Sequence, residues 1–312
     1  MISWMLRALG SGLALLFLFW LLPIEDVLAG FVALPLSIFG LVVVAYIVGH
    51  IAAAAKFWIL LDRSISYVAV LKAHWAGLVT NLGLPGAVGG DAVRAGVVIS
   101  AGADAAKATG AALTDRLIDM VGLAALTAMG AATIAKPGEL QAPLLLLCVF
   151  SAVLVASFAV LPGVLRVAKR YAPGVAAKEI LQRSAAALEA LRRRPARLAG
   201  ILVVSVLIQL TFILLTVALA RAIGVNAELG AWIFAWPLAK IIAVLPISLG
   251  GLGVREATLS AILASIGADA AGVVAVGLIW HTVLITGAVL GVGCWAGSRQ
   301  LSLLQSHAGK GL

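Results

Sequence analysis

Two stretches of this chain repeat a pattern suited to holding an anion. Leu84-Pro85-Gly86-Ala87-Val88-Gly89-Gly90-Asp91-Ala92-Val93-Arg94 aligns without gaps on Leu245-Pro246-Ile247-Ser248-Leu249-Gly250-Gly251-Leu252-Gly253-Val254-Arg255, sharing Leu, Pro, both glycines, Val and Arg. A proline followed by paired glycines lets the backbone turn sharply. A helix starting after Gly90 or Gly251 would then aim its free N–H groups and positive dipole end at the turn. Arg94 and Arg255, one turn into each helix, add a planar fork that fits phosphate in a way Lys does not. A structural alternative stands beside this: the glycines allow close helix packing, and each arginine pairs with a carboxylate. Arg94, Arg255, Gly89, Gly90, Gly250 and Gly251 are the first candidates for substrate contact.

Other polar residues extend the set. Asp91 falls at the expected start of the first helix, where it would cap free N–H groups or serve proton coupling. The matching position is Leu252, and Glu256 follows Arg255 directly, so the two copies differ chemically. Asp115 and Asp119 share one helical face, with Arg116 about 100° round from Asp115. These three would contact a head group, carry a coupling proton or form an internal charge cluster. His281, reached from Arg116 by a 165-residue offset, is of a type whose ordinary range would suit proton coupling, although an isolated His is commonly a packing residue. Asn81 joins the substrate-contact set, and Lys56, His74 and Lys240 are further cavity candidates. Cys148 and Cys294 show no C-x-x-C spacing and no nearby His cluster, so neither a disulfide framework nor a metal site is expected. No nucleotide loop, H-E-x-x-H, nucleophile elbow or paired-acid signature is present in the sequence, and the expectation is a protein without cofactor that is not an enzyme.

These residues require a membrane around them. Of 312 residues, 63% are hydrophobic and 11% charged, against about 45–50% and about 25% in soluble domains. With a mean hydropathy of +1.15, the chain is an integral membrane protein. That excludes a cytosolic enzyme, a secreted module and a disordered hub. The net charge of +9 could suit nucleic acid, but the basic residues gather between two spans, where orientation in the bilayer explains them, and no nucleic-acid partner is expected.

Apolar runs predict an all-α membrane fold with six full spans, near 6–22, 31–61, 108–134, 142–162, 198–222 and 270–297. Stretches 67–100 and 230–266, broken by Pro and Gly, read as two re-entrant pairs of short helices. The first span reads as an uncleaved helix rather than a signal peptide. Segment 163–197 holds nine basic residues, Arg166, Lys169, Arg170, Lys178, Arg183, Arg192, Arg193, Arg194 and Arg197, against Glu179 and Glu189. It should be cytoplasmic, with both termini on the same side. Within it, Ile180, Leu181, Ala185, Leu188 and Leu191 recur at helical spacing. Two readings follow: a helix lying on an anionic lipid surface, or a topology signal with a solvated basic face.

Three expected spans separate the two motifs, and an odd number of crossings puts them on opposite sides of the bilayer. The repeat is therefore inverted, with 31–162 as one half, 163–197 as a linker and 198–297 as the other half of a single domain over 1–312. A second self-match, Ser100–Ala106 on Ser265–Ala271, keeps the same order. Inverted repeats with broken helices suit alternating access.

Taken in order, Asn81-Leu82-Gly83-Leu84-Pro85-Gly86, Gly89-Gly90-Asp91, Arg94, Asp115-Arg116 and Pro246-Ile247-Ser248-Leu249-Gly250-Gly251-Leu252-Gly253-Val254-Arg255-Glu256 resemble the lysylphosphatidylglycerol synthase/flippase transmembrane-region family. The resemblance covers most of the chain and implies a bacterial inner-membrane protein that moves lipids or lipid-linked intermediates between leaflets. Lysyl transfer is not expected, because no aminoacyl-transferase domain is expected after residue 297. Stand-alone members are linked to different lipids, including hopanoids and polyprenyl-linked glycans, so the resemblance leaves the substrate open. The family carries an Arg where the offset gives His281.

The expected function is thus transport of a lipid with an anionic head group, compatible with a homo-oligomer. A membrane enzyme acting on a lipid phosphate and a non-transporting assembly partner are the alternatives.

Overall fold

The computed structural model describes residues 2–83, 87–134, 159–244 and 251–308, with the isolated positions 152 and 156. Every regular element among them is an α-helix. Four helices are long and apolar enough to cross a membrane: α3 (Leu36–Leu60), α6 (Ala105–Ile134), α9 (Pro195–Ala222) and the Ala270–Gly293 part of α12 (Ala270–Ala308). The expected span at 142–162 lies almost wholly outside the described residues, as does Cys148.

The expected span near 31–61 is present as α3, from Leu36. Before it the structure adds an element: near the expected span 6–22 lie two helices, α1 (Ile2–Leu21) and α2 (Ile24–Ala33), bent by 96° at their junction. Prolines explain both breaks. Pro23 and Pro35 precede α2 and α3 in extended conformation, because proline lacks the N–H and fixes φ. Glu25 and Asp26 then sit in the first turn of α2, where the helix dipole favours them. Val27 packs with Leu18, Ala271 and Val274, tying α2 to α12.

Between the long helices lie two shorter pairs, α4 (Tyr67–Gly83) with α5 (Ala87–Ser100), and α10 (Leu229–Ile242) with α11 (Val254–Ala264). The members of each pair pack against one another. The contact pattern is two-fold. Contacts α3–α4, α4–α5, α5–α6 and α3–α6 are matched by α9–α10, α10–α11, α11–α12 and α9–α12, while α6–α10 and α6–α9 are matched by α4–α12 and α3–α12.

Glycine sets how closely these helices approach, as small residues do in membrane bundles. On α6, a Cβ at Gly130 would meet the backbone of Ile233 and Phe234 on α10, and one at Gly230 would meet Thr133. A Cβ at Gly287 would strike the Tyr46 ring 2.5 Å away, and one at Gly49 would lie 2.6 Å from the Phe212 ring. The central core gathers where these helices cross, around Tyr46, Phe212, Trp232, Trp236 and Trp280.

The basic segment forms α7 (Ala159–Ala168) and α8 (Gly174–Arg192). The apolar stripe of α8 packs on protein, with Ala185 and Leu188 buried beside Leu165, Leu161 and Leu113. Ser184 donates to the Ala106 carbonyl at 3.1 Å and Arg183 pairs with Asp104 at 2.8 Å, fixing α8 to the start of α6.

Just past α3, Asp62 receives Arg197 Nη1 at 2.6 Å and faces Lys107 Nζ at 3.3 Å. Burial would raise its carboxyl, but hydrogen bonding and charge from Arg197, with help from Lys107, hold it below the usual carboxylate range.

Candidate functional site

The first arginine motif is enclosed in an ion network spanning three helices. Lys56 on α3, Asp91 and Arg94 on α5, and Asp115, Arg116 and Asp119 on α6 provide three cations and three carboxylates. Asp115 accepts from Arg94 Nη2 at 2.8 Å and lies 3.0 Å from Lys56 Nζ. Asp119 also pairs with Lys56 and accepts from Ser205 at 2.5 Å. Asp91 bridges Arg94 at 3.3 Å and Arg116 at 3.9 Å. The i, i+4 spacing of Asp115 and Asp119 is what lets both reach one lysine. The Arg94 guanidinium lies over the Phe57 ring, 4.0 Å from its centroid, with the residue only 7% exposed.

Helix α5 starts at Ala87, earlier than the sequence suggests, and this changes two roles. Asp91 sits in the second turn rather than at a cap. Gly89 and Gly90 lie inside the helix, and Gly90 donates its N–H to Asn81 Oδ1 at 2.9 Å. A Cβ at Gly90 would strike Asn81 and the Gly77 carbonyl, so this glycine permits the α4–α5 approach.

The second motif is organised differently. Gly251 and Gly253 both adopt φ of +83°, a left-handed conformation that suits glycine. Glu256 accepts the Gly253 N–H at 2.7 Å, capping α11, and accepts Arg255 Nη2 at 2.7 Å. It is fully buried. Arg255 also lies 3.5 Å from His281 Nδ1. Gly250 and the prolines of both motifs lie outside the described residues.

A cavity of about 220 Å³ opens between the two motifs, lined by residues of α3, α4, α6, α9, α10, α11 and α12. Its cations are Arg116, Lys240 and Arg255, its histidines His50 and His281, and its aromatic walls Tyr46, Phe212, Trp236 and Trp280. None of its described lining residues is a carboxylate. Lys240 donates to the neutral Gln209 at 2.8 Å. Arg116 Nη2 and Trp236 Nε1 are buried donors with no hydrogen-bond partner among the described residues, in a class of group that is nearly always satisfied.

Among the sequence candidates, Arg116, Arg255, Asn81, His281 and Lys240 meet at this cavity. Arg94, Asp91, Asp115, Asp119 and Glu256 are not among its lining residues, and neither are Gly89, Gly90 and Gly251. Sequence reasoning missed Tyr46, His50, Phe212, Trp236 and Trp280. For His50, Trp236 and Trp280 the one sequence signal is type, since indole and imidazole N–H groups inside an apolar run need partners.

Among the described residues, no group of three or more His, Cys, Asp or Glu is arranged to hold a metal ion. Comparison with curated proteins gives no match. The family model described as the lysylphosphatidylglycerol synthase TM region matches residues 4–291, which takes in both arginine motifs, the ion network and every described residue that lines the cavity. The chain belongs to the lysylphosphatidylglycerol synthase transmembrane-region family.

Proposed function

We propose that the protein is a flippase that moves an anionic lipid or lipid-linked intermediate between the leaflets of the bacterial inner membrane. The carrying observation is the cavity: three cations and, among the described residues, no lining carboxylate and two buried donors without acceptors. Phosphate oxygens of a head group would satisfy Arg116 Nη2 and Trp236 Nε1, each of which costs about 1–3 kcal/mol when left unpaired. Arg116, Lys240 and Arg255 would hold the head group. The aromatic walls would pack on its stem while the acyl chains stay in the bilayer. In this reading Arg94 is a positioning residue, acting on Arg116 through Asp91.

The matched helix contacts support a repeated unit; in this reading its copies are inverted, with six crossings plus two re-entrant pairs. Segment 163–197 then faces the cytoplasm together with both termini. Rocking of pseudo-symmetric units about the cavity would expose it to each leaflet in turn. The cycle needs no covalent step.

The test is leaflet exchange in vesicles containing the purified protein, with fluorescent phosphatidylglycerol or phosphatidylcholine quenched from outside. Faster exchange of phosphatidylglycerol, lost in the Arg116→Gln/Lys240→Gln double variant, is expected. Folded protein that exchanges no anionic lipid sinks the reading, and conversion of the lipid to a new product in detergent would put an enzyme in its place.

A further inference from the structure

We propose that the His50–His74 pair binds a proton together with the anionic head group, making lipid movement proton-coupled. The inference rests on the flippase reading and adds its energy source.

The two rings come from different helices, His50 from α3 and His74 from α4, with Nδ1 of His50 2.9 Å from Nε2 of His74. His50 lines the cavity, whereas His74 is buried behind it. Aromatic neighbours fix the His50 ring, with centroids 4.3 Å from Tyr46 and 5.0 Å from Phe212. One of the facing nitrogens must donate and the other accept. If His50 donates, His74 carries its own proton on Nδ1; if His74 donates, Nδ1 is a bare lone pair. That atom is buried with no hydrogen-bond partner among the described residues, so either neutral tautomer leaves one nitrogen unsatisfied. An added proton enters from bulk water onto the outward lone pair, His50 Nε2 where His50 donates or His74 Nδ1 where His74 donates, and its charge is shared across the N–H···N bond as an imidazolium–imidazole pair. No other bond changes, and the proton leaves when the head group leaves.

The surrounding charges link this proton to the anion. The titratable or charged groups facing the pair are Tyr46 and Lys56 on α3, Arg94 on α5 and Lys240 on α10, with His281 of α12 on the same cavity. On α9 the ring neighbour is Phe212. Lys56 and Arg94 are balanced by Asp91, Asp115 and Asp119. Lys240 is bonded to a neutral amide, so its charge opposes protonation of the pair until an anion enters the cavity. By linkage the reverse holds equally: a protonated pair strengthens anion binding. His50 makes this link direct, because it belongs both to the cavity wall and to the pair.

The experiment is proton uptake by the full-length protein in weakly buffered detergent, followed with a pH indicator on adding dihexanoyl-phosphatidylglycerol. Dihexanoyl-phosphatidylcholine is the neutral comparison, and binding is measured separately by calorimetry. Uptake approaching one proton per bound lipid should appear as the pH is lowered through the acidic range. It should be lost in His74→Gln, which keeps hydrogen-bonding capacity but takes no proton, and in His50→Gln, which serves if the first variant fails to fold. Phosphatidylglycerol binding without uptake at any pH overturns the coupling and leaves the flippase reading standing. Uptake that persists in both variants and vanishes in His281→Gln assigns the proton elsewhere and also overturns it. Absence of phosphatidylglycerol binding to folded protein overturns the flippase reading and this inference together.

Discussion

The two copies of the arginine motif neutralise their arginine by different means. Around Arg94 the balancing charge comes from other turns and other helices, in a network of six side chains across α3, α5 and α6. Around Arg255 it comes from the next residue, Glu256, which also caps the helix. The arginine is thus held in both copies of the motif, and much of the cavity's charge comes from residues outside the motif. Arg116 matches His281 under the 165-residue offset, and Lys240 matches Val79 under the 161-residue offset. Symmetric motifs build the frame, and asymmetric cations give the cavity its sign.

The contrast is most sharply tested by removing the carboxylates. Glu256→Ala strands the buried Arg255 and frees the Gly253 N–H, and should destabilise by about 3–5 kcal/mol. Asp115→Ala leaves Lys56 with Asp119 and Arg94 with Asp91, and should cost less. Thermal unfolding in detergent orders them, and the reverse order would break the comparison. Removing the asymmetric charge should act on transport instead. Arg116→Gln should slow anionic lipid exchange by about 10–100-fold, equivalent to losing a charged hydrogen bond of about 1.5–3 kcal/mol, with nearly unchanged stability.

Packing offers a third comparison along a single helix. Gly90→Ala should lose about 1–3 kcal/mol by overpacking against Asn81 and Gly77. Gly96→Ala, on the same helix with nothing within 4 Å of an added Cβ, should be neutral or stabilising by the same unfolding assay. The smallest effect belongs to the exposed ion pair. Asp62→Asn should cost under about 1 kcal/mol. Because the folded carboxyl is held below 3.8, its contribution is present above the unfolded pKa and disappears as pH falls through the folded one. The variant and wild type should therefore converge in melting temperature below about pH 3.

Hydropathy and the self-match made much of this architecture legible. The four long helices coincide with apolar runs, and the pairs α4–α5 and α10–α11 occupy the stretches marked by Pro and Gly. The bent start escaped because averaging apolarity over a window passes through Pro23 and Pro35 without registering the lost N–H. Asp91 was misplaced because its role depends on a helix start several residues upstream. The cavity was half legible: charge in an apolar run marks Arg116, Arg255 and Lys240, but an aromatic residue there packs equally well on lipid or on protein. Tyr46, Phe212, Trp236 and Trp280 acquire their role only where α3, α9, α10 and α12 cross. His50 and His74 are 24 residues apart, with no periodicity that joins them.

The glycine seam between α6 and α10 also bears on how the protein is made. Gly130 and Gly230 are separated by a hundred residues of chain, which a ribosome translates in about 5–20 s. During that interval α6 is in the bilayer with its glycine face against lipid, waiting for α10 to emerge. Its own backbone hydrogen bonds let it persist there as a single helix. Assembly of the centre is therefore late and post-insertional, and a ribosome that stalls before residue 229 would release a chain whose ion network is largely in place but whose cavity has no far wall.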